Sequence, residues 1–98
     1  MNDPLKDKKD TIIRLLDALF PGVKIYLFGS RARGTHRETS DIDLAIDAGR
    51  KLTIHEIAQA RNVLDTFPMG QTIDVVDMRS IPDYLKEIVL TEGIVWKN

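Results

Sequence analysis

Two aspartates one residue apart, Asp41 and Asp43, open a run that is otherwise apolar: Ile42, Leu44, Ala45 and Ile46. The run reads as a β-strand, and strand side chains alternate faces, so both carboxylates project to the same side of a sheet. Two like charges in so small a volume raise one pKa unless a cation or a shared proton offsets them. A hard divalent ion suits the pair, since Mg²⁺ takes one or two protein carboxylates and completes its shell with water and substrate phosphates. Upstream, residues 23–28 form a second strand candidate, rich in β-branched and aromatic residues and broken by Gly29. Gly29 lets a phosphate approach the backbone amides, and Ser30 adds a hydroxyl donor. For the end of that strand to meet the start of the next, the two must run antiparallel, which their short connection permits.

The chain has 98 residues, enough for one small domain spanning 1–98 and too few for a two-domain enzyme. Fourteen basic against fifteen acidic residues give a net charge of −1, so no global field draws the chain to nucleic acid or to an anionic membrane. Direct nucleic-acid binding is not expected. Cysteine is absent, which removes disulfides, thiolate catalysis and cysteine metal sites. No apolar run approaches the ~18 residues of a membrane span, and the charged start MNDPLKDKKD is unlike a signal peptide. The expectation is a soluble, cytoplasmic protein with no membrane role.

Asp3-Pro4 has the form of a helix start, followed by Leu5, Ile12, Ile13, Leu15, Leu16, Leu19 and Phe20 and ended by Pro21-Gly22. Tyr26 and Phe28 share one strand face and read as packing. Residues 31–37 hold Arg31, Arg33, His36 and Arg37 among the turn formers Gly34, Thr35 and Ser40, so a loop or one helical turn is expected. A guanidinium fork suits a triphosphate, but it equally suits an ion pair with the nearby acids; Arg33 is the preferred phosphate candidate. His36 and His55 have no metal-pair spacing. After a turn at 47–51, Thr53 and Glu56 form a capping box for a helix whose buried face should comprise Ile54, Ile57, Ala58, Val63, Leu64 and Phe67, ended by Pro68-Met69-Gly70.

A strand, a helix and a further strand at 72–76 predict a parallel pair with a right-handed crossover beside the strand of Asp41 and Asp43. The new strand offers Asp74 and Asp77, which lie three apart and so face opposite sides; only one can join the first two acids. A charge within an apolar strand is costly without a cation, which favours Asp74, whereas Asp77 at the strand end should be solvated. A last helix begins near Ser80 to Asp83, packs through Leu85, Ile88 and Val89, and closes at Gly93 before a short strand carrying Trp96. The fold class is α/β: a mixed sheet of about four strands with helices mainly on one face, leaving the other for self-association or partner docking.

Gly29-Ser30, ten residues, then Asp41-x-Asp43 resembles the DNA polymerase β-like nucleotidyltransferase superfamily, and more narrowly the minimal nucleotidyltransferases, or MNT proteins. Their pattern GSxARG, five residues, SDxDL is matched without a gap by Gly29, Ser30, Ala32, Arg33, Gly34, Ser40, Asp41, Asp43 and Leu44. A lone DxD usually marks a turn or a solvated pair, but in register with GSxARG it is specific. The resemblance implies that Asp41, Asp43 and Asp74 bind two Mg²⁺ ions, that Gly29 and Ser30 hold the β and γ phosphates of ATP, and that Asp74 helps deprotonate the acceptor. Larger relatives carry added domains for nucleic acid, a tRNA end or an antibiotic. The MNT proteins instead pair with a separate HEPN-domain protein in toxin–antitoxin systems, and some add AMP to a tyrosine of that partner. Protein adenylylation is therefore the expected activity. The alternative is a weakly active or idle module that neutralises its partner by stoichiometric contact; a small-molecule acceptor ranks below both, because no second domain encloses a ligand.

Overall fold

Residues 4–35, 41–66 and 72–98 are described by the computed structural model. The expectations for Asp3, His36, Arg37, Ser40, Phe67 and residues 68–70 lie outside these ranges. The first helix, α1 (Pro4–Leu19), buries Ile12 and Leu16 four residues apart, with Phe20 buried just past its end, one stripe laid on a sheet. It stops before Pro21-Gly22, where the Gly22 amide donates to Asp17 Oδ1 at 3.0 Å. The chain then enters β1 (Lys24–Phe28), makes one helical turn, α2 (Ser30–Arg33), and returns as β2 (Ile42–Asp47).

Between β2 and β3 (Ile73–Asp77) lies α3 (Ile54–Asp65); α4 (Asp83–Glu92) and β4 (Ile94–Lys97) complete the chain. The sheet order is β3-β2-β1-β4, with β1 antiparallel to both β2 and β4 and with β2 and β3 parallel, as the short and helical connections respectively require. Helices α1 and α3 cover one face, where Ile25, Leu27, Ile42, Leu44, Ile46, Ile73 and Val75 join the main core. Trp96 packs against that core and Lys9 Nζ stands 5.7 Å from its ring centroid. The opposite face is not empty: Val89 of α4 clusters with Ala45 and Met78, flanked by Tyr26, Phe28 and Val76. The face expected to remain for docking is thus partly covered.

The Thr53–Glu56 capping box forms as the sequence requires, the Glu56 amide donating to Thr53 Oγ1 at 3.1 Å and the Thr53 amide to Glu56 Oε1 at 3.0 Å. The phase of α3 differs from expectation. Ala60 and Leu64 are buried while Ile54 is 87% exposed and Ala58 is also exposed. Ile54 begins the helix beyond the sheet edge and lines, with Ile57, Ala58 and Ile81, a surface cavity of about 370 Å³.

Asp77 requires a larger correction. Expected in solvent, it is 4% exposed. Ile73, Val75 and Asp77 point to the helical face, and Asp77 is satisfied there by the Leu52 amide (2.8 Å) and Ser80 Oγ (2.8 Å) on Oδ2 and by the Arg79 amide (3.0 Å) on Oδ1. A buried carboxylate with three donors needs no water. Gly93 closes α4 as expected, though with extended backbone: its amide bonds Val89 O at 2.9 Å, and a Cβ there would strike that same carbonyl.

Candidate active site

Phe28, Asp43 and Asp74 form one row across three strands, with Phe28 the register partner of Asp43 and Asp43 the register partner of Asp74. Register partners share a sheet face, so the Asp43 and Asp74 carboxylates stand side by side on the face that carries α4. Ala45 lies in the cluster beneath this helix, whereas Asp43 lies outside it and is half-buried. Asp41, immediately before β2, is exposed at the same end. The antiparallel β1 delivers Gly29 to the same place. Gly29 has φ 76° and ψ −154°, a backbone region that favours glycine, and a Cβ there would collide with the Asp43 carboxylate. Only glycine lets the turn lie against the acid. The turn is closed by the Arg33 amide on Gly29 O (3.2 Å) and the Thr35 amide on Ser30 O (3.0 Å).

The electrostatics of Asp43 report how the acids are placed. Its pKa is raised, first by partial burial, then by the charges of Asp74 and Asp41, and the Arg33 guanidinium opposes the rise. Three carboxylates therefore repel one another around a half-buried centre, with Arg33 the opposing cation. Among the described residues no three acids or histidines are drawn together closely enough to enclose a metal ion. Asp74 instead has Oδ1 3.1 Å from Arg61 Nη2, with both side chains about half exposed. The donor set nevertheless fits a hard divalent cation, because oxygen ligands that repel one another at a partly desolvated site are what such an ion relieves.

The fold thus brings together Gly29, Ser30, Arg33, Asp41, Asp43 and Asp74. Arg61 also reaches this group, and nothing in the sequence marked it: it comes from α3, on the far side of the sheet, thirteen residues before the acid it touches. No helix among the described residues is long and apolar enough to cross a membrane.

The family model described as "Polymerase beta, Nucleotidyltransferase" matches residues 10–97. The candidate protein adenylyltransferase MJ0435 of Methanocaldococcus jannaschii is 33% identical over 91 residues, covering 92% of this chain and 95% of that protein. Protein adenylyltransferase MntA of Shewanella oneidensis is 37% identical over 90 residues, covering 87% of this chain but only 61% of MntA. Among solved structures, a toxin–antitoxin crystal structure with AMP-PNP superposes with a TM-score of 0.79 at 34% identity, covering 90% of this chain and 71% of that one. The MNT antitoxin complex with tri-AMPylated HEPN toxin from Shewanella oneidensis gives 0.75 at 29% identity, covering 93% and 70%. With 88 of its 98 residues matched by that family model, the chain belongs to the polymerase beta nucleotidyltransferase family.

Proposed function

We propose that this chain is a protein adenylyltransferase that moves AMP from ATP onto a hydroxyl of a HEPN-domain partner and so neutralises it, in the cytoplasm where ATP is supplied. The observation that carries the reading is the row of Phe28, Asp43 and Asp74 with Gly29 pressed against Asp43, which sets a phosphate-accessible turn beside clustered acids. The relatives named as protein adenylyltransferases and the AMPylated HEPN toxin in a neighbouring complex support the same acceptor class.

Asp41, Asp43 and Asp74 would hold Mg²⁺, two ions in this reading, and these would supply neutralisation of the triphosphate and of the leaving pyrophosphate. Gly29 and Ser30 receive the β and γ phosphates, and Arg33 adds positive charge on the phosphate side. Asp74, half exposed at the sheet edge, accepts the proton of the partner's hydroxyl. That oxygen then bonds to the α-phosphorus as the bond to pyrophosphate breaks. Positioning and charge neutralisation supply most of the rate, since phosphoryl transfer asks little covalent chemistry of the protein.

The second reading is stoichiometric neutralisation of the partner with little turnover, which needs contact with the partner but not the acids. Intact-mass spectrometry of chain and partner after incubation with Mg²⁺ and ATP separates the two. One or more AMP units on the partner, absent with Asp41→Ala, supports transfer. A stable complex without any mass increase, together with neutralisation that survives Asp43→Ala, supports binding alone.

A further inference from the structure

Arg61 lies on α3, which packs on the helical face, yet its guanidinium meets an acid on the opposite face. It does so by passing around β3, the edge strand of the sheet. Nη2 makes two contacts there: it donates to Val75 O at 3.0 Å and stands 3.1 Å from Asp74 Oδ1. Val75 has a fully buried side chain, so its carbonyl is a fixed anchor, and the guanidinium that bonds it is held in place beside Asp74. Asp74 alternates out of the core, and among the described residues its side chain is held by Arg61.

Stability does not account for this arrangement. The side chains of Arg61 and Asp74 are 47% and 50% exposed, and ion pairs so open to water contribute little. Their effect falls instead on the neighbouring acids. A cation drawn to Asp41 and Asp43 meets, at the next strand, a carboxylate already facing a positive charge.

We propose that Arg61 is the positioning residue for the third acid. By holding Asp74 Oδ1 at the β3 edge, it keeps Asp74 in the nucleotide-free protein from closing with Asp41 and Asp43 into a three-carboxylate cage, and it leaves Oδ2 to serve a metal ion and the incoming hydroxyl once ATP is bound. The free protein then binds divalent ions weakly, through two acids, and Asp74 is kept oriented for the acceptor. The inference rests on the adenylyltransferase reading for the second half of this role and on geometry alone for the first.

The test compares Arg61→Gln and Arg61→Lys by two readouts. Titration of the isolated protein with Mn²⁺, followed by electron paramagnetic resonance, needs neither ATP nor partner. Removing one positive charge beside a ligand should tighten Mn²⁺ binding by about threefold to tenfold in Arg61→Gln. Arg61→Lys, which keeps the charge, should stay within about twofold of the wild type. AMP transfer to the partner should lose kcat about tenfold in Arg61→Gln with KM for ATP little changed, and Arg61→Lys, lacking the planar fork, should recover only part. Unchanged Mn²⁺ affinity in Arg61→Gln, or a kcat equal to the wild type, overturns the inference and leaves Arg61 as a cover for the exposed sheet edge. If Arg61→Gln does not fold, Arg61→Lys decides: full kcat overturns the proposal, and a lowered kcat with unchanged Mn²⁺ affinity sustains it. A wild-type protein that transfers no AMP defeats the adenylyltransferase reading instead, and the Mn²⁺ comparison still stands.

Discussion

The two ends of the β2–β3 pair each carry aspartates, and they treat them oppositely. At one end Asp43 and Asp74 are register partners whose charges repel, and burial and that repulsion push the Asp43 pKa up. At the other end, Asp47 accepts from Arg79 Nε and the Gly49 amide, both at 2.8 Å, and the Arg79 hydrogen bond leads the forces that push its pKa down. Asp77, one strand over, is buried with three donors. Residue type and strand are the same; what differs is whether the fold supplies donors. Asp47 and Asp77 each take two or more hydrogen bonds from the fold, whereas Asp43 is left half-buried beside other acids, and under the proposed function it is that unsatisfied acid which meets the ligand.

The largest effect that could break this contrast is on activity. Asp43→Ala should lower AMP transfer on the order of a thousandfold or more, the scale on which losing one charge-stabilising group acts, while the thermal midpoint holds or rises because a repelling charge is gone. A fall in both would make Asp43 structural and erase the distinction. Asp77→Ala should do the reverse, costing ~3 kcal/mol in urea unfolding by leaving buried donors unmet, with transfer per folded molecule kept. Gly29→Ala should act on both quantities. Its positive-φ, extended backbone lies in a region essentially confined to glycine and costs another residue ~1–3 kcal/mol, and the added Cβ displaces the Asp43 carboxylate, so kcat falls as well; stability loss with full kcat would show that the close approach is not needed.

The smallest effects are in the pH dependence. Glu56, paired with Arg50 at 2.6 Å and bonded by the Thr53 amide, has its pKa lowered to about 2, and that of Asp47 is lowered too. Carboxylates lowered in the folded state add stability that is present above their unfolded values and lost as pH falls through the folded ones. Glu56→Gln and Asp47→Asn should therefore flatten the loss of stability between pH 5 and pH 2, in ~1 M steps or less of urea midpoint. Asp43 has the opposite sign. Its raised pKa means that the charged form costs stability once pH exceeds the ordinary carboxylate value, so Asp43→Asn should give a small gain at pH 7 that fades as pH falls through the raised folded value and is gone below the ordinary one.

The acid row was legible because three local rules compose: alternation places Asp41 with Asp43, a short connection makes β1 and β2 antiparallel, and an intervening helix makes β2 and β3 parallel. Those rules bring one acid of β3 beside Asp43, and the cost of a charge within an apolar strand, together with the family resemblance, selects Asp74 over Asp77. They could not place Asp77, whose burial depends on the Leu52 amide 25 residues away, although its spacing to Ser80 is a local turn signal that could have been read. Arg61 was beyond reach, since a long side chain that rounds a sheet edge leaves no periodicity. The exposure of Ile54 and the seat of α4 are likewise set by where helices end relative to the sheet, which hydrophobic pattern alone does not encode.

Strand β1 sits between β2 and β4, and it acquires these neighbours at very different distances along the chain: Ile25 pairs with Ile46 on one side and with Lys97 on the other. The first pairing closes a short loop and the second must wait for nearly the whole molecule to be gathered in, which is the costlier search. Until residues 94–97 dock, β1 shows a bare row of amides and carbonyls to any passing chain. Lys97 then fastens the seam, its Nζ donating to Val23 O at 3.0 Å and standing 3.5 Å from Asp17. An assembly that closed the shorter loop first would leave residues 94–97 to cover this edge of β1, and in covering it they take up the groups through which another chain could pair.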